Sequence, residues 1–229
     1  MIDVHAHILP LVDDGSSSEI NSIEMLFEAE KQGITDIVLT PHYKKNYEKT
    51  YAELLYVFNE LCAKKEQLNI SVNLYLGQEA FIYNTFKEDI KEGKIIPLCG
   101  SKYLLVEFDY FKDTDIAEAV YDLVNLGFIP VIAHFERYAY ATIAMAREIN
   151  SLGGLIQINA DALVGKCKWK YSKKVKPLFK EGLVDLIASD VHYERKNYMK
   201  KAYALVLRKY GQSVAQALFY DNAKKIIEG

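Results

Sequence analysis

The chain has 229 residues, half of them hydrophobic, and a formal net charge of −3 at pH 7. This length suits one domain, and the slightly acidic balance excludes the broad basic surface that is typical of nucleic-acid-binding proteins. The N-terminus lacks a basic region followed by an apolar stretch, and no apolar run approaches the length of a membrane span, so we expect neither a secretory signal nor membrane insertion.

Short β-branched segments alternate with longer amphipathic segments along the chain. The predicted strands are Ile2–Val4, Asp36–Leu39, Ser71–Leu76, Tyr103–Glu107, Ile129–Ala133, Leu155–Ile158 and Val184–Ala188. Apolar residues three or four apart predict helices over Glu19–Gln32, Tyr51–Gln67, Asp115–Leu126, Ala141–Leu152 and Lys173–Lys180. The end of the chain predicts a basic helix over Tyr193–Gly211 and a C-terminal cap over Leu218–Gly229.

The alternation of strands and helices predicts the fold class. Repeated βα units imply a mainly parallel sheet, and strands that are mostly apolar throughout favour closure into a TIM-like barrel. No Gly-rich phosphate loop follows a strand, which argues against a dinucleotide-binding fold. We find no linker, low-complexity tract or internal repeat, so residues 1–229 are predicted to form a single α/β domain.

Metal-ligand residue types stand at the predicted strand ends. All five histidines of the chain lie there, most of them with a carboxylate close by. In strand order, the exits carry His5-Ala6-His7, then His42, Glu79, Glu107, His134 with Arg137, and Asp190-Val191-His192, while Asp13-Asp14-Gly15 follows the first pair. The carboxyl ends of parallel strands meet at one mouth of a barrel, so these side chains are expected to converge.

Imidazole and carboxylate side chains in this number indicate a polynuclear metal centre. A single strand-end histidine is more often a hydrogen-bonded structural residue, but five beside acidic partners favour ligands. The set exceeds what one tetrahedral ion needs and fits two or three divalent ions. The mixed shell suits Mn, Fe or Zn and does not by itself select one of them, and the chemistry expected is metal-assisted hydrolysis.

The motifs resemble those of a known superfamily. The segments are His5-Ala6-His7, Asp13-Asp14-Gly15, Thr40-Pro41-His42, Gly77-Gln78-Glu79, Val106-Glu107-Phe108, Ile132-Ala133-His134-Phe135-Glu136-Arg137-Tyr138 and Ala188-Ser189-Asp190-Val191-His192. They resemble the polymerase-and-histidinol-phosphatase (PHP) superfamily, and within it the manganese-dependent protein-tyrosine phosphatases of bacterial capsule and exopolysaccharide synthesis. The resemblance runs from Met1 to Ile226.

The resemblance implies a distorted (βα)7 barrel with three metal ions. One ion would be held by His5, His7, Glu79 and Asp190; a second by Glu79, Glu107 and His134; and a third by Asp14, His42 and His192. Either Asp13 or Asp14 suits the third site, with Asp13 expected to orient the loop. Asp3 is expected to support the first strand as a hydrogen-bond acceptor rather than bind metal.

The same resemblance implies hydrolysis of phosphotyrosine by a metal-activated hydroxide, with Arg137 on the phosphate. Arg195 is the second candidate, although relatives have Asn where Tyr193 stands, so a solvated surface role is equally compatible. The implied substrate is the tail of an autophosphorylated tyrosine kinase that regulates polysaccharide export. Six tyrosines near the predicted rim loops fit two roles equally well, contact with this substrate or ordinary half-buried packing: Tyr43, Tyr47, Tyr51, Tyr138, Tyr140 and Tyr193. Lys44 and Lys45 beside His42 fit attraction of an acidic tail, although surface solvation is the commoner role of such lysines.

Three alternatives remain at this point: a small-molecule phosphatase of the histidinol-phosphate type, a metal-dependent amidohydrolase, and a non-enzymatic module of the kind found in polymerases. A cysteine-based phosphatase is not expected, because Cys62, Cys99 and Cys167 lie in no phosphate-binding loop. Their wide spacing also argues against disulfides and indicates a reduced, cytoplasmic protein. The sequence leaves the oligomeric state open.

Overall fold

The computed structural model describes residues 1–229. Nine strands form: β1 (Ile2–Ala6), β2 (Asp36–Leu39), β3 (His42–Tyr43), β4 (Asn73–Leu76), β5 (Glu79–Phe81), β6 (Tyr103–Glu107), β7 (Ile129–Ile132), β8 (Leu155–Asn159) and β9 (Leu186–Ala188). Each predicted strand is present, while β3 and β5 were not predicted because each has only two or three residues. The predicted strand over Ser71–Leu76 begins later, since the Ser71 N–H donates to the Glu30 carboxylate instead of a ladder.

All strand pairs are parallel, in two sheets. One sheet has the order β1-β2-β4 and the other β3-β5-β6-β7-β8-β9. β2 pairs with β4, and β3 pairs with β5 directly beyond them, so each pair continues the other after a short interruption. Two hydrogen bonds join the end of β1 to the segment that follows β9. The Asp190 N–H donates to the His5 carbonyl at 2.9 Å, and the His7 N–H donates to the Val191 carbonyl at 3.0 Å. The architecture is α/β and is built on parallel sheets, as the alternating segments predict.

The helices fill the connections. They are α1 (Glu19–Gln32), α2 (Tyr51–Gln67), α3 (Phe86–Lys91), α4 (Ile116–Asn125), α5 (Ile143–Ser151), α6 (Ala160–Leu163), α7 (Trp169–Lys180), α8 (Met199–Tyr210), α9 (Gln212–Gln216) and α10 (Asn222–Glu228). The predicted bounds of α1 and α2 are confirmed, because both carry strong caps: Ser18 accepts from the Asn21 N–H, and Thr50 forms a capping box with Glu53.

Two helix predictions in the last third of the chain had wrong starting residues: the basic helix was predicted too long and α7 too short. The basic helix begins only at Met199, whose N–H is capped by Asn197, so Arg195 lies in the preceding loop. α7 starts at Trp169, four residues before the predicted start. The prediction missed this first turn because the turn carries no apolar periodicity. None of the helices combines the length and apolarity needed to cross a membrane.

Most strands are buried on both faces, which explains their continuous apolar sequences, whereas β4 has no fully buried residue. Val4, Leu105 and Leu186 belong to a smaller cluster that α10 closes with Ala223 and Ile226. Alternate residues such as Leu104 face the larger cluster under the helices. Glu107 comes two residues after Leu105, so it continues the face of the smaller cluster at the carboxyl end of β6.

Candidate metal centre

The structure brings all nine sequence-predicted ligands together at the carboxyl ends of the strands. Their candidate ligand atoms form four overlapping groups, in each of which the atoms lie within 4.8 Å of one another. The groups are His7, Asp14, His42 and His192; His5, His7 and Asp190; His5, Glu79 and His134; and His42, Glu79 and Glu107. All of these residues are buried except Asp14, whose side chain is 48% exposed.

Glu79 occupies the middle of the cluster. Its Oε2 lies 3.3 Å from His5 Nε2, 3.2 Å from His7 Nε2 and 2.9 Å from His42 Nδ1. Its Oε1 lies 2.8 Å from His134 Nε2. One carboxylate thus contacts four imidazoles, which is the arrangement that a bridging ligand between two ions requires.

Asp190 and Glu107 approach different pairs of the histidines that surround Glu79. Asp190 Oδ1 lies 3.6 Å from Nε2 of both His5 and His7. Glu107 Oε1 lies 3.2 Å from His42 Nδ1, and its Oε2 lies 3.7 Å from His134 Nε2. The grouping differs from the implied ligand sharing, because His42 approaches Glu79 and Glu107 as well as Asp14.

The outer corner contains Asp14 and His192. Asp14 Oδ1 lies 3.3 Å from His42 Nε2 and 3.7 Å from His192 Nε2. The His192 ring stacks on His7 with centroids 4.3 Å apart. The neighbouring His192 and His42 imidazoles hold the pKa of the Asp14 carboxyl below its ordinary value. Asp14 is therefore the ionised, solvent-facing acid of the cluster.

Hydrogen bonds from outside the cluster fix several imidazoles. His7 Nδ1 lies 2.8 Å from Asp13 Oδ2, and Asp13 also accepts from the backbone N–H groups of Gly15 and His42. All three contacts engage Asp13, so it orients the loop while Asp14 faces the cluster. Asp3 Oδ1 accepts from the backbone N–H groups of His5 and Ser189, as expected of a supporting residue.

The sequence interpretation missed two amides on β8. Gln157 Oε1 lies 3.1 Å from His5 Nδ1 and accepts from the His134 N–H at 2.8 Å. Gln157 Nε2 donates to Asn159 Oδ1, and Asn159 Nδ2 donates to Asp190 Oδ2 at 2.8 Å. The signal was available, because Gln157-Ile158-Asn159 ends a strand with the same alternate spacing as the His-x-His and Asp-x-His pairs.

The electrostatic environment favours positive charge. Burial alone would lower the pKa of His5, but the Glu79 carboxylate beside it raises that pKa to about 9. Burial alone would likewise lower the pKa of His42, yet Glu79, Asp14 and Glu107 raise it to about 12. Burial would raise the pKa of Glu79, whereas His5 and His42 lower it well below its ordinary value. The acids therefore demand cationic neighbours.

The ligand set fits divalent cations on a second observation. Several buried atoms in the cluster make no hydrogen bond: His42 Nδ1, Glu79 Oε2, Glu107 Oε1 and His134 Nδ1. Leaving such groups without partners is costly in a protein interior. His42 Nδ1 and Glu79 Oε2 lie only 2.9 Å apart, but their orientation does not suit a hydrogen bond. Metal coordination would satisfy the two carboxylate oxygens and His42 Nδ1, whereas His134 contacts the cluster through its Nε2.

Backbone strain marks two of these residues. His134 has φ 36° and Asp190 has φ 49°, in the left-handed region that non-glycine residues rarely adopt. Each lies two residues after the end of a strand, His134 after β7 and Asp190 after β9. Strained conformations of this kind concentrate at functional sites, where the surrounding structure holds them.

Both predicted arginines reach the cluster. Arg137 Nη1 donates to Asp190 Oδ2 at 2.8 Å, and Arg195 Nη1 lies 3.4 Å from the same oxygen. Arg137 is the more enclosed, with its side chain 23% exposed against 47% for Arg195. Burial would lower the pKa of Arg137, but the Asp190 carboxylate raises it, so this guanidinium stays charged.

Tyr110 is a further neighbour that the sequence interpretation missed. Its hydroxyl lies 3.4 Å from Glu107 Oε2 and 3.5 Å from Arg137 Nη1, and the Arg137 guanidinium carbon lies 5.4 Å from the ring centroid. The ring also meets His134 edge-on at 5.5 Å. Burial raises the pKa of Tyr110, so its hydroxyl remains protonated. No motif in the sequence singled it out among the 17 tyrosines.

The rim tyrosines divide into different environments. Tyr47 lies beside the cluster, with its ring 6.1 Å from the His42 ring. Tyr138 is fully buried, and its hydroxyl donates to the Ala133 carbonyl, so of the two roles open to it the structure selects packing. The Tyr193 hydroxyl donates to Glu24 on α1 rather than facing the ligands. Lys44 Nζ lies 3.8 Å from Glu107 Oε1.

The cysteines are unpaired and unactivated. Cys62, Cys99 and Cys167 form no disulfide. Burial raises the pKa of all three thiols, to about 12 for Cys99. A nucleophilic cysteine needs the opposite shift, so these residues lack the thiolate character of a cysteine-based phosphatase.

Comparisons with known proteins give consistent matches. The family model described as capsular polysaccharide synthesis, CpsB/CapC, matches residues 1–228. The tyrosine-protein phosphatase CpsB of Streptococcus pneumoniae is 35% identical over 240 residues, covering 99% of this chain and 98% of that protein. A putative tyrosine-protein phosphatase CapC of Staphylococcus aureus is 36% identical over 200 residues, covering 84% and 77%.

A solved structure gives the same result in three dimensions. It comes from work on YwqE of Bacillus subtilis and CpsB of Streptococcus pneumoniae, described as metal-dependent tyrosine phosphatases. The TM-score is 0.92 at 29% sequence identity, and the match covers 100% of this chain and 94% of that chain.

Proposed function

The chain belongs to the capsular polysaccharide synthesis CpsB/CapC family, and from this membership and the site geometry we propose that it is a metal-dependent tyrosine phosphatase. It hydrolyses phosphotyrosine monoesters on a protein substrate. The observation that carries this proposal is the cluster of imidazoles and carboxylates at the strand ends, with two arginines at its edge.

We also propose that residues 1–229 form one distorted (βα)7 barrel of the PHP type. The hydrogen bonds of His7 and Asp190 between the end of β1 and the segment after β9 support closure. If β2 and β3 are counted as one interrupted strand, and β4 and β5 as another, the barrel has the seven strands that the resemblance implies. A ring of this kind explains why every ligand lies at one end.

The metal content that we propose is two or three divalent ions, Mn first, with Fe or Zn as alternatives. The ligands would be His5, His7, Asp14, His42, Glu79, Glu107, His134, Asp190 and His192. When bound, such ions activate water and offset the charge of a phosphate dianion. The mixed nitrogen and oxygen donor set suits these metals.

The protein's own residues position the phosphate. Arg137 and Arg195 both reach Asp190 Oδ2, so their remaining N–H groups are available at the mouth to phosphoryl oxygens. A guanidinium donates in pairs and stays charged, which suits a phosphoryl group. The departing phenolate of tyrosine has an ordinary pKa near 10, so it leaves without a strong general acid. Tyr110 holds the Arg137 guanidinium over its ring.

The substrate that we propose is a phosphotyrosine-bearing tail of a bacterial tyrosine kinase that acts in capsule synthesis. The family description supports the capsule context, and the names of the relatives support phosphotyrosine. Tyr47 and Lys44 stand next to His42 and Glu107, where they can contact a phosphotyrosine ring and its acidic surroundings. We place this activity in the cytoplasm, in keeping with three unpaired cysteines.

The test is turnover combined with metal analysis of protein purified without chelator. We expect faster hydrolysis of a phosphotyrosine peptide than of histidinol phosphate. His42→Ala and Glu107→Ala should each lose bound metal and at least about a hundredfold in turnover, since outer partners of metal ligands already contribute 10–100-fold. A Cys62→Ser, Cys99→Ser, Cys167→Ser triple variant should keep its activity. Unchanged turnover in both ligand variants would remove the cluster from the reaction.

A further inference from the structure

One surface segment has a composition unlike the rest of the chain. Residues 166–180 contain no Asp or Glu, although the whole chain has more acids than Lys and Arg. Six lysines of this segment are exposed: Lys166, Lys168, Lys170, Lys173, Lys176 and Lys180. They cover α7 and the loop before it.

Two large aromatic side chains project from the same area. Trp169 is 75% exposed and Phe111 is 72% exposed. Lys170 Nζ lies 5.2 Å from the Phe111 ring centroid, and Lys173 Nζ lies 4.8 Å from the Trp169 ring. These contacts join the loop after β6 to the start of α7 in one surface, which we call the Trp169 patch: Phe111, Trp169 and the six exposed lysines.

The Trp169 patch lies on the same side of the fold as the metal centre. Phe111 stands in the loop that follows the carboxyl end of β6 and directly follows Tyr110. α7 comes after β8 and α6, and its Lys174 donates to the Tyr138 carbonyl, one residue beyond Arg137. A large body bound to this patch would therefore face the mouth of the site.

The acids nearest in sequence to Phe111 are occupied in shaping its loop. Asp109 accepts from the backbone N–H groups of Phe111 and Lys112, both at 2.8 Å. Asp113 accepts from the Asp115 N–H, and Asp115 caps α4 by accepting from the Glu118 N–H. These three carboxylates are confined to the loop between β6 and α4, whereas the lysines extend along the whole of α7.

We propose that the Trp169 patch binds the anionic surface of a phospholipid membrane. Trp169 and Phe111 enter the boundary between headgroups and acyl chains, where the indole ring is favoured and the apolar phenyl ring is removed from water, and the lysines contact lipid phosphates. α7 does not insert, because its apolar residues Val175 and Leu178 are buried against the core. Two exposed rings in contact with lysines favour this partner over an acidic protein, whose carboxylates would leave both rings in water.

The chain supplies its own reporter, since Trp169 is its single tryptophan. The experiment adds vesicles of phosphatidylglycerol and phosphatidylcholine, or of phosphatidylcholine alone, to the full chain and follows tryptophan emission and co-sedimentation. We expect a blue shift and sedimentation only with the anionic vesicles, both lost at high salt. Each lysine near such a surface contributes enough that neutralising three should weaken binding by roughly a hundredfold.

The test variant is Lys168→Gln, Lys170→Gln, Lys173→Gln, and its control is Lys31→Gln, Lys91→Gln, Lys209→Gln, which removes the same charge from α1, α3 and α8. A Trp169→Ser, Phe111→Ser variant tests the rings by sedimentation. Equal loss in the control, absence of sedimentation at low salt, or an unshifted emission would each overturn the proposal. Tighter binding to polyglutamate or to a single-stranded oligonucleotide would do the same. The measurement involves no turnover, so it stands or falls separately from the phosphatase activity.

Discussion

At the scale of single residues, Glu79 determines how the cluster is organised. It is buried among four imidazoles, so its charge needs cations around it. The other acids are spaced around it, each nearest to a different set of histidines. Such an arrangement is unstable without compensating charge, because buried carboxylates carry a large desolvation cost.

Tyr110 gives the first prediction at this scale. Tyr110→Phe keeps the ring under Arg137 but removes the hydroxyl that lies within 3.5 Å of Arg137 and 3.4 Å of Glu107. We expect KM for a phosphotyrosine peptide to rise by roughly three- to tenfold, the value of one hydrogen bond, with a smaller change in kcat. Steady-state kinetics measure both constants.

A matched control is Tyr75→Phe, which removes a hydroxyl that lies 3.4 Å from Asp36 Oδ1 on β2. It should leave both constants unchanged. If Tyr110→Phe behaved in the same way as this control, Tyr110 would have no part in holding Arg137.

At the scale of elements, the loop after β1 depends on a close backbone approach. A Cβ added at Gly15 would lie 2.2 Å from the His7 carbonyl oxygen and 2.4 Å from His7 Cβ. No side chain other than hydrogen fits there, which explains the glycine of Asp13-Asp14-Gly15.

Gly15→Ala should therefore displace the end of β1 and the Asp13 contact to His7. We expect a loss of about 1–3 kcal/mol in the free energy of unfolding, as in other overpacked sites, together with most of the activity. Gly182→Ala, at an open position with φ +66°, should cost about 1 kcal/mol without loss of activity. Full activity in Gly15→Ala would contradict this account of the loop.

The join between β8 and β9 gives a pH-dependent prediction. Burial raises the pKa of Asp185 to about 6, although its carboxylate accepts from the Ile156 N–H at 2.8 Å. Because the unfolded pKa is about 3.9, the native state binds more protons between these values, and stability falls as pH rises through about 4 to 6. Asp185→Asn keeps an acceptor but does not ionise.

The variant should thus gain stability relative to the natural chain as pH rises from about 4 to 7. Urea unfolding at three pH values across this range measures the difference. A difference that is constant with pH would show that Asp185 keeps an ordinary pKa in the native state.

At the scale of the whole molecule, the ligands join distant parts of the chain, from His5 to His192. Ions bound there should stabilise the native state as a whole. At a free ion concentration of 100 times Kd the gain is about 2.7 kcal/mol, which is roughly 5–10 °C in Tm for a protein of this size. We expect chelation to lower Tm by this order and to abolish turnover, with Mn restoring both.

His42→Ala serves as the control, because its Tm should respond less to the chelator. A natural chain whose Tm and turnover are indifferent to chelation would rule out a resident metal centre. Thermal scans and initial rates on the same samples supply both readouts.

The sequence by itself determined the α/β order, the capped bounds of α1 and α2, and the identity of nine ligand candidates. These features depend on local periodicity, capping chemistry and strand-end position, all of which are determined by residues close together in the sequence. The tertiary structure decided which ligands share a group, that Asp14 rather than Asp13 faces the cluster, and that Tyr138 is buried. It also identified Tyr110 and showed which ligands Gln157 and Asn159 contact, although the spacing of these two amides at a strand end is visible in the sequence. Such relations join residues far apart in the chain, and only the packed strands fix their distances.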